Sequence, residues 1–279
     1  MKNYYKYLED VLFSLQWYDS CRLIQQEGSA IIMEYFILLF VIGIISGFIN
    51  VVAAGGSLIT LPMLILIGVP STAANGTNRI AVIFQNLTAM RVFHKSKMVE
   101  WKLSLQLSIP AVIGSIIGSN VALEISDELF NVLLAIIIVT CLILMLIQPH
   151  RKVNQQVTEI TKLRMTLLMI AFFLIGFYGG FIQAGVGLLI IIALTLIHGA
   201  LPLAMQHSVK TIVVTIYLFP SIIIFALNNQ IFWVYALILA LGTSIGGMLG
   251  GKFAVKIPEK WLRIILIAVV SIMAISLVL

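Results

Sequence analysis

Apolar runs of about twenty residues recur along this chain, each cut by a short cluster of glycine, proline or polar positions. Eight of them are long, at about 33–53, 71–93, 103–123, 128–148, 165–184, 201–227, 231–251 and 261–279. A bilayer core about 30 Å thick needs roughly 20 helical residues to cross it, so the spacing predicts eight long transmembrane helices. Two further runs, 57–69 and 187–198, follow Gly-rich breaks and stop before Pro70 and Pro202. Each is too short to cross alone and reads as a broken or re-entrant helix. The fold class expected is an all-α polytopic membrane protein.

Composition removes the soluble alternatives. The 279 residues are 61% hydrophobic and 10% charged, where a soluble domain carries about 25% charged residues. A soluble enzyme, a nucleic-acid binder and a disordered chain are excluded as readings of the whole chain, and the partner implied is a lipid bilayer. The 17 Lys and Arg and 11 Asp and Glu are unevenly placed. Tyr35–Met90 holds one charge, Arg79, and Met165–Gly251 holds one, Lys210. The others gather in the first 34 residues, at Arg91–Lys102, Glu124–Glu128, Arg151–Arg164 and Lys252–Arg263, which are therefore the loops. Cys21 and Cys141 are too few for a disulfide framework.

Residues 1–32 mix aromatic and charged side chains and lack the apolar core of a signal peptide. They read either as an amphipathic surface helix or as an extension upstream of a start at Met33. Beyond them the chain is duplicated. Trp101–Ile125 aligns with Trp233–Ile257 through Trp101/Trp233, Leu105/Leu237, Ile113/Ile245, Gly114/Gly246, Gly118/Gly250 and Ile125/Ile257. Upstream, Gly47–Asn50 matches Gly180–Gln183, and Gly76–Arg79 matches His207–Lys210. The organisation expected is an N-terminal extension (1–32), a first repeat (33–148), a cytoplasmic linker (149–164) and a second repeat (165–279). The basic loop His94–Lys102 corresponds to the uncharged Asn228–Ile231, and the acidic turn Glu124–Glu128 to the basic Lys252–Lys260. Because Lys and Arg accumulate on the cytoplasmic side, this reversal predicts inverted repeats, an arrangement in which transport sites lie between the two copies.

A charge deep in a span faces a partner or a wet cavity, or else snorkels to an interface. Arg79 and Lys210 occupy equivalent places and have no intramembrane Asp or Glu to neutralise them. Both are candidates to bind an anion. The Gly-rich breaks Ala53–Ser57 and Gln183–Gly187 begin new helices, and the free N–H groups there, around Gly55, Gly56, Ser57, Gly185 and Gly187, suit an anion as well. Small residues equally serve close helix packing, which is the reading preferred for Gly114, Gly118, Gly246, Gly247, Gly250 and Gly251. Asn50, Asn75, Thr77 and Asn78 in the first copy, with Gln183, Gln206, His207 and Ser208 in the second, add polar groups to the candidate site, and Gln85 and Asn86 extend the polar path. His207 is either a proton-coupling group or a hydrogen-bonded structural residue. No nucleotide-binding, zinc-protease or hydrolase motif is present, so no cofactor, metal site or catalytic role is expected.

At these residues the sequence resembles the TauE/SafE family of membrane proteins. The likeness covers roughly Met33 to Leu279 and rests on GFIN followed by AAGGSLITLPMLILIGVPSTAANGTNR, on GFIQAGVGLLII followed by HGALPLAMQHSVK, and on the paired Trp-led helices. Ala53 and Ser57 stand where the family pattern carries glycine, and Ile192 where it carries a proline. The resemblance implies about eight spans, the bacterial cytoplasmic membrane and a small anionic substrate such as sulfite or an organosulfonate, exported by a secondary transporter. Carriage of another solute or a cation, or a non-transporting assembly role in the membrane, are the alternatives; a thiol relay has only Cys141 to work with.

Overall fold

The computed structural model describes residues 29–147, 161–199 and 201–253. The expected helix 261–279, residues 1–28 of the expected extension and 149–160 of the expected linker lie outside them; residues 29–32, expected in the extension, belong to the first helix. The described residues hold nine α-helices and no strand: α1 (Ser29–Ala53), α2 (Ser57–Leu66), α3 (Ser71–Lys95), α4 (Trp101–Glu124), α5 (Asp127–Ile147), α6 (Lys162–Phe181), α7 (Val186–Ala193), α8 (Leu203–Leu227) and α9 (Trp233–Phe253). A π-helical turn, Leu194–His198, continues α7.

Among the described residues, five helices are long and apolar enough to cross a membrane: Glu34–Val52 of α1, and α4, α6, α8 and α9. Their outward faces carry exposed large apolar residues, among them Ile37, Ile109, Leu174, Ile223 and Leu241. α3 is as long as α8 but breaks the expected apolar pattern with Asn75, Thr77, Asn78, Arg79, Gln85 and Asn86, all of them buried. A helix so polar is stable at the centre of a bundle, where neighbouring chain satisfies it, and not against lipid.

Small residues set how the halves meet. α1 lies along α9, where a Cβ on Gly47 would strike the carbonyl of Thr243 and one on Gly246 the carbonyl of Ile44. α4 lies along α6 in the same way, with Gly118 against Phe177 and Gly180 against Ser115. Backbones this close leave no room for side chains, the packing expected of transmembrane small-residue seams. Like contacts rise together along both helices of each pair, Gly43 at Leu239 then Gly47 at Thr243, and Gly176 at Ala111 then Gly180 at Ser115, so the partners run in the same direction.

α3 also runs parallel to α9, joined by Thr243 Oγ1 donating to the Ala81 carbonyl at 2.9 Å, with Gly251 beside Val92 further on. α8 runs parallel to α4 through Ser115 Oγ donating to the Tyr217 carbonyl at 3.0 Å and a Ser119–Ser221 hydroxyl contact at 2.5 Å. α3 and α8 cross antiparallel, since Gly76 approaches Phe225 while Arg79 reaches Ser221. These directions gather the basic termini at one end of the bundle: His94 and Lys95 close α3, Lys102 opens α4, Lys162 and Arg164 open α6, and Lys252 closes α9. Glu34, Glu124, Asp127 and Glu128 lie at the other end.

At that second end α5 caps α3. Asp127 Oδ1 accepts from both the backbone N–H and the hydroxyl of Thr72, each at 2.9 Å, and Ser71 Oγ donates to Asn131 Oδ1 at 2.6 Å. The orphan N–H groups of a helix start are thus met by a different helix. Asp127→Ala is expected to lower stability by about 1 kcal/mol, the usual worth of an N-terminal cap, and Asp127→Asn to retain most of it. Thermal unfolding in detergent measures both.

Candidate functional site

The two short helices begin face to face in the middle of the bundle. Ser57 Oγ, at the start of α2, donates to the Gln183 carbonyl at 3.3 Å and accepts from the Gly185 N–H at 3.2 Å, just before α7. Tight turns make this meeting possible. Ala54 and Gly185 have φ of 61° and 71°, and a side chain at Gly185 would also press on Cys141 Sγ. From there α2 runs back against α3, with Thr60 Oγ1 donating to Asn78 Oδ1 at 2.7 Å, and α7 runs back against α8, with Thr195 Oγ1 donating to Gln206 Oε1 at 3.0 Å.

A narrow cavity, with room for about one water, opens beside this meeting point. Its walls are Asn50 at the end of α1, Ser57, Val82 and Asn86 of α3, Gln183 and Gly187 around the second break, and Lys210 and Val214 of α8. Lys210 is 3% exposed; its Nζ donates to the Asn50 carbonyl at 2.6 Å and to the Val51 carbonyl at 3.4 Å. A side chain on Gly187 would crowd the lysine stem, coming 3.1 Å from its Cδ. None of the lining residues is a carboxylate. The cavity therefore holds a buried amine whose hydrogen-bond partners here are neutral carbonyls.

The amides around it are oriented by their neighbours. Asn50 Nδ2 donates to Gln85 Oε1 at 3.2 Å, and Gln183 Oε1 accepts from Tyr217 OH at 3.1 Å. Asn86 is different: it is 2% exposed and its Nδ2 has no partner.

Arg79 is not part of this cavity. Fully buried, its Nη1 donates to the Gly179 carbonyl at 3.0 Å and to Ser221 Oγ at 2.6 Å, and its Nη2 to the Gly180 carbonyl at 2.7 Å. Its guanidinium lies 4.4 Å over the Phe225 ring. Each cation reaches the carbonyls near the end of a long helix just before a break, Arg79 on α6 and Lys210 on α1. Neither snorkels to a membrane edge. Both Nη groups of Arg79 are met by protein acceptors and its Nε has no partner, whereas Lys210 lines the cavity.

Of the other expected residues, Asn50, Ser57, Gln183 and Gly187 meet Lys210 at the cavity. Asn75, Thr77 and Asn78 instead tie α3 to its surroundings: Asn75 Nδ2 donates to the Phe181 carbonyl at 2.8 Å, Thr77 Oγ1 accepts from the Phe232 N–H at 2.9 Å, and Asn78 holds Thr60. Gln206 fixes the turn before α8, donating to the Leu201 carbonyl at 2.8 Å. His207 and Ser208 are buried away from the cavity, with His207 Nδ1 and Ser208 Oγ unpartnered. Gly56 packs against Ser46 and Asn50, and its carbonyl accepts from Ser46 Oγ at 2.8 Å; neither it nor Gly55 lines the cavity. Gly185 acts through its left-handed turn. Val82, Asn86 and Val214 were not among the expected binding residues. Asn86 was legible as a polar position two turns beyond Arg79, and Val214 as the position one turn beyond Lys210.

Residues 39–277 match the family model described as Sulfite exporter TauE/SafE. Among characterised sequences, a "Probable membrane transporter protein" of Haemophilus influenzae is 28% identical over 232 residues, covering 83% of this chain and 89% of that protein. "Probable membrane transporter protein ORF9" of a Sinorhizobium species is 25% identical, covering 86% of this chain and 90% of the relative. "Probable membrane transporter protein YfcA" of Escherichia coli K12 is 23% identical, covering 86% and 88%. No solved structure matches.

Proposed function

We propose that this chain, which belongs to the sulfite exporter TauE/SafE family, is a secondary transporter that carries a small anion such as sulfite or an organosulfonate outward across the bacterial cytoplasmic membrane. The observation that carries the reading is Lys210: a buried lysine on a cavity without a carboxylate, beside two helix starts whose N–H groups and dipoles also favour negative charge. Burying such an amine beside neutral groups is costly unless a counter-charge arrives, and a transported anion supplies it. Asn50, Ser57, Gln183 and Gly187 complete the binding site in this proposal.

The proposal includes eight spans arranged as inverted repeats. It is supported by helix directions, since α1, α3 and α9 run one way while α4, α6 and α8 run the other, opposing each element of one half to its counterpart in the second. Gathering of the basic termini at one end supports a cytoplasmic assignment for that end. The cavity then lies between the copies, where alternating access requires it. An inside-negative potential drives a monoanion outward by about 2.3 kcal/mol per 100 mV, so export needs no coupling ion.

Sulfite flux from proteoliposomes tests the proposal. Saturable efflux that rises with an inside-negative potential is the expected result; flux equal to that of protein-free liposomes would overturn it.

A further inference from the structure

The cavity also specifies the charge of what it accepts. Lys210 is the one ionisable side chain among its lining residues. Arg79, the other cation of the interior, is committed to Gly179, Gly180 and Ser221 and does not reach it. One ammonium compensates one negative charge. A second negative charge would lie in a desolvated interior facing amides, a hydroxyl, valine side chains and the partial charges of two helix starts, with no second cation among the lining residues, and groups without full charge offset the desolvation of an ion poorly.

The neutral part of the site is equally specific. Asn86 has a buried Nδ2 without a partner, although it lines a polar cavity, while its Oδ1 accepts from Gln85 Nε2 at 3.5 Å. Buried donors are almost always paired, and of the unpartnered buried side-chain atoms among the described residues Asn86 Nδ2 is the one that belongs to a residue lining the cavity, which makes it the candidate donor to an acceptor bound there. Gln183 has its oxygen turned to Tyr217, which leaves its NH₂ as a second neutral donor.

We infer, on the reading that this cavity is an anion site, that it selects singly charged oxyanions over doubly charged ones, with Lys210 matching the charge and Asn86 Nδ2 donating to an anion oxygen. Asn86 is thereby a substrate-binding residue.

Methanesulfonate and sulfate separate the possibilities, because both present oxygens on tetrahedral sulfur and they differ in charge. Thermal unfolding of the purified protein, titrated with each sodium salt at matched ionic strength, is expected to give methanesulfonate affinity at least about tenfold higher than sulfate affinity. Equal or tighter sulfate binding overturns the inference and leaves the anion site standing. No response to either salt, or a response unchanged in Lys210→Met, overturns the anion site and the inference together.

Two variants address Asn86. Asn86→Asp keeps the side-chain shape and adds a charge that competes for Lys210, so the methanesulfonate response should vanish; a wild-type response removes Asn86 from the site. Asn86→Lys should raise sulfate affinity relative to methanesulfonate, a change of rank that a packing defect does not produce. An unchanged rank in a folded Asn86→Lys protein counts against the inference.

Discussion

Lys210→Met is expected to abolish anion transport and leave the protein folded. Methionine reproduces the length of the lysine stem, which packs beside Gly187 and passes between α1 and α8. What it removes is one positive charge and the bonds to the Asn50 and Val51 carbonyls. For folding these losses oppose one another. Two carbonyls lose a donor, at about 1 kcal/mol each, while a desolvated amine disappears, so the midpoint of thermal unfolding should move by only a few degrees. For an anion the losses do not cancel, because the only charge of the cavity is gone. Removal of a charged hydrogen bond of about 1.5 to 3 kcal/mol weakens binding roughly 10- to 100-fold. Sulfite efflux and anion-dependent stabilisation should therefore fall together, and Lys210→Arg should recover part of both. Wild-type efflux from folded Lys210→Met protein would remove Lys210 from the transport path.

The same lysine shows how far the sequence could be read. Its burial in the interior was legible because charge is scarce: a long apolar region with one Lys, and another with a single Arg, mark both positions. The short helices were legible from Gly-rich breaks followed by runs too short to span, and the packing glycines of α4 and α9 from their repetition. Helix ends fell within a few residues, as with 71–93 against Ser71–Lys95. The different fates of the two cations were not legible. Whether a buried cation faces a cavity depends on which carbonyls the opposite half leaves unpaired, and those of Gly179 and Gly180 lie about a hundred positions from Arg79 along the chain. The partners of the polar residues beside Arg79 were hidden for a related reason. Asn75 and Thr77 look like ligand donors, and here they satisfy loose backbone at Phe181 and Phe232, while Asn78 accepts from the Thr60 hydroxyl. The sequence pattern of a binding helix and of a buried scaffold helix is the same.

Arg79 should accordingly behave in the opposite way to Lys210, with the largest loss appearing in folding. Its guanidinium satisfies two carbonyls at the end of α6 and a hydroxyl of α8, and it stacks on Phe225. Arg79→Leu leaves those acceptors buried and unpaired where no water reaches them. Each acceptor left unsatisfied costs about 1 to 3 kcal/mol, so the loss at all of them outweighs the relief of one desolvated charge and consumes a large part of the stability of a typical domain. Loss of expression or a sharply lowered unfolding midpoint is the expected result. Arg79→Lys is the informative variant, because a single ammonium keeps the charge but does not reproduce the planar fork that reaches Gly179, Gly180 and Ser221 together. It should unfold at a lower temperature than the wild type and yet retain stabilisation by methanesulfonate, since the cavity around Lys210 is intact. If Arg79→Lys is as stable as the wild type but loses the anion response, then Arg79 contacts the substrate and the division between the two cations is wrong. A bundle that breaks its helices at the centre exposes carbonyls as well as N–H groups; both cations answer those carbonyls, and Lys210 also faces the cavity.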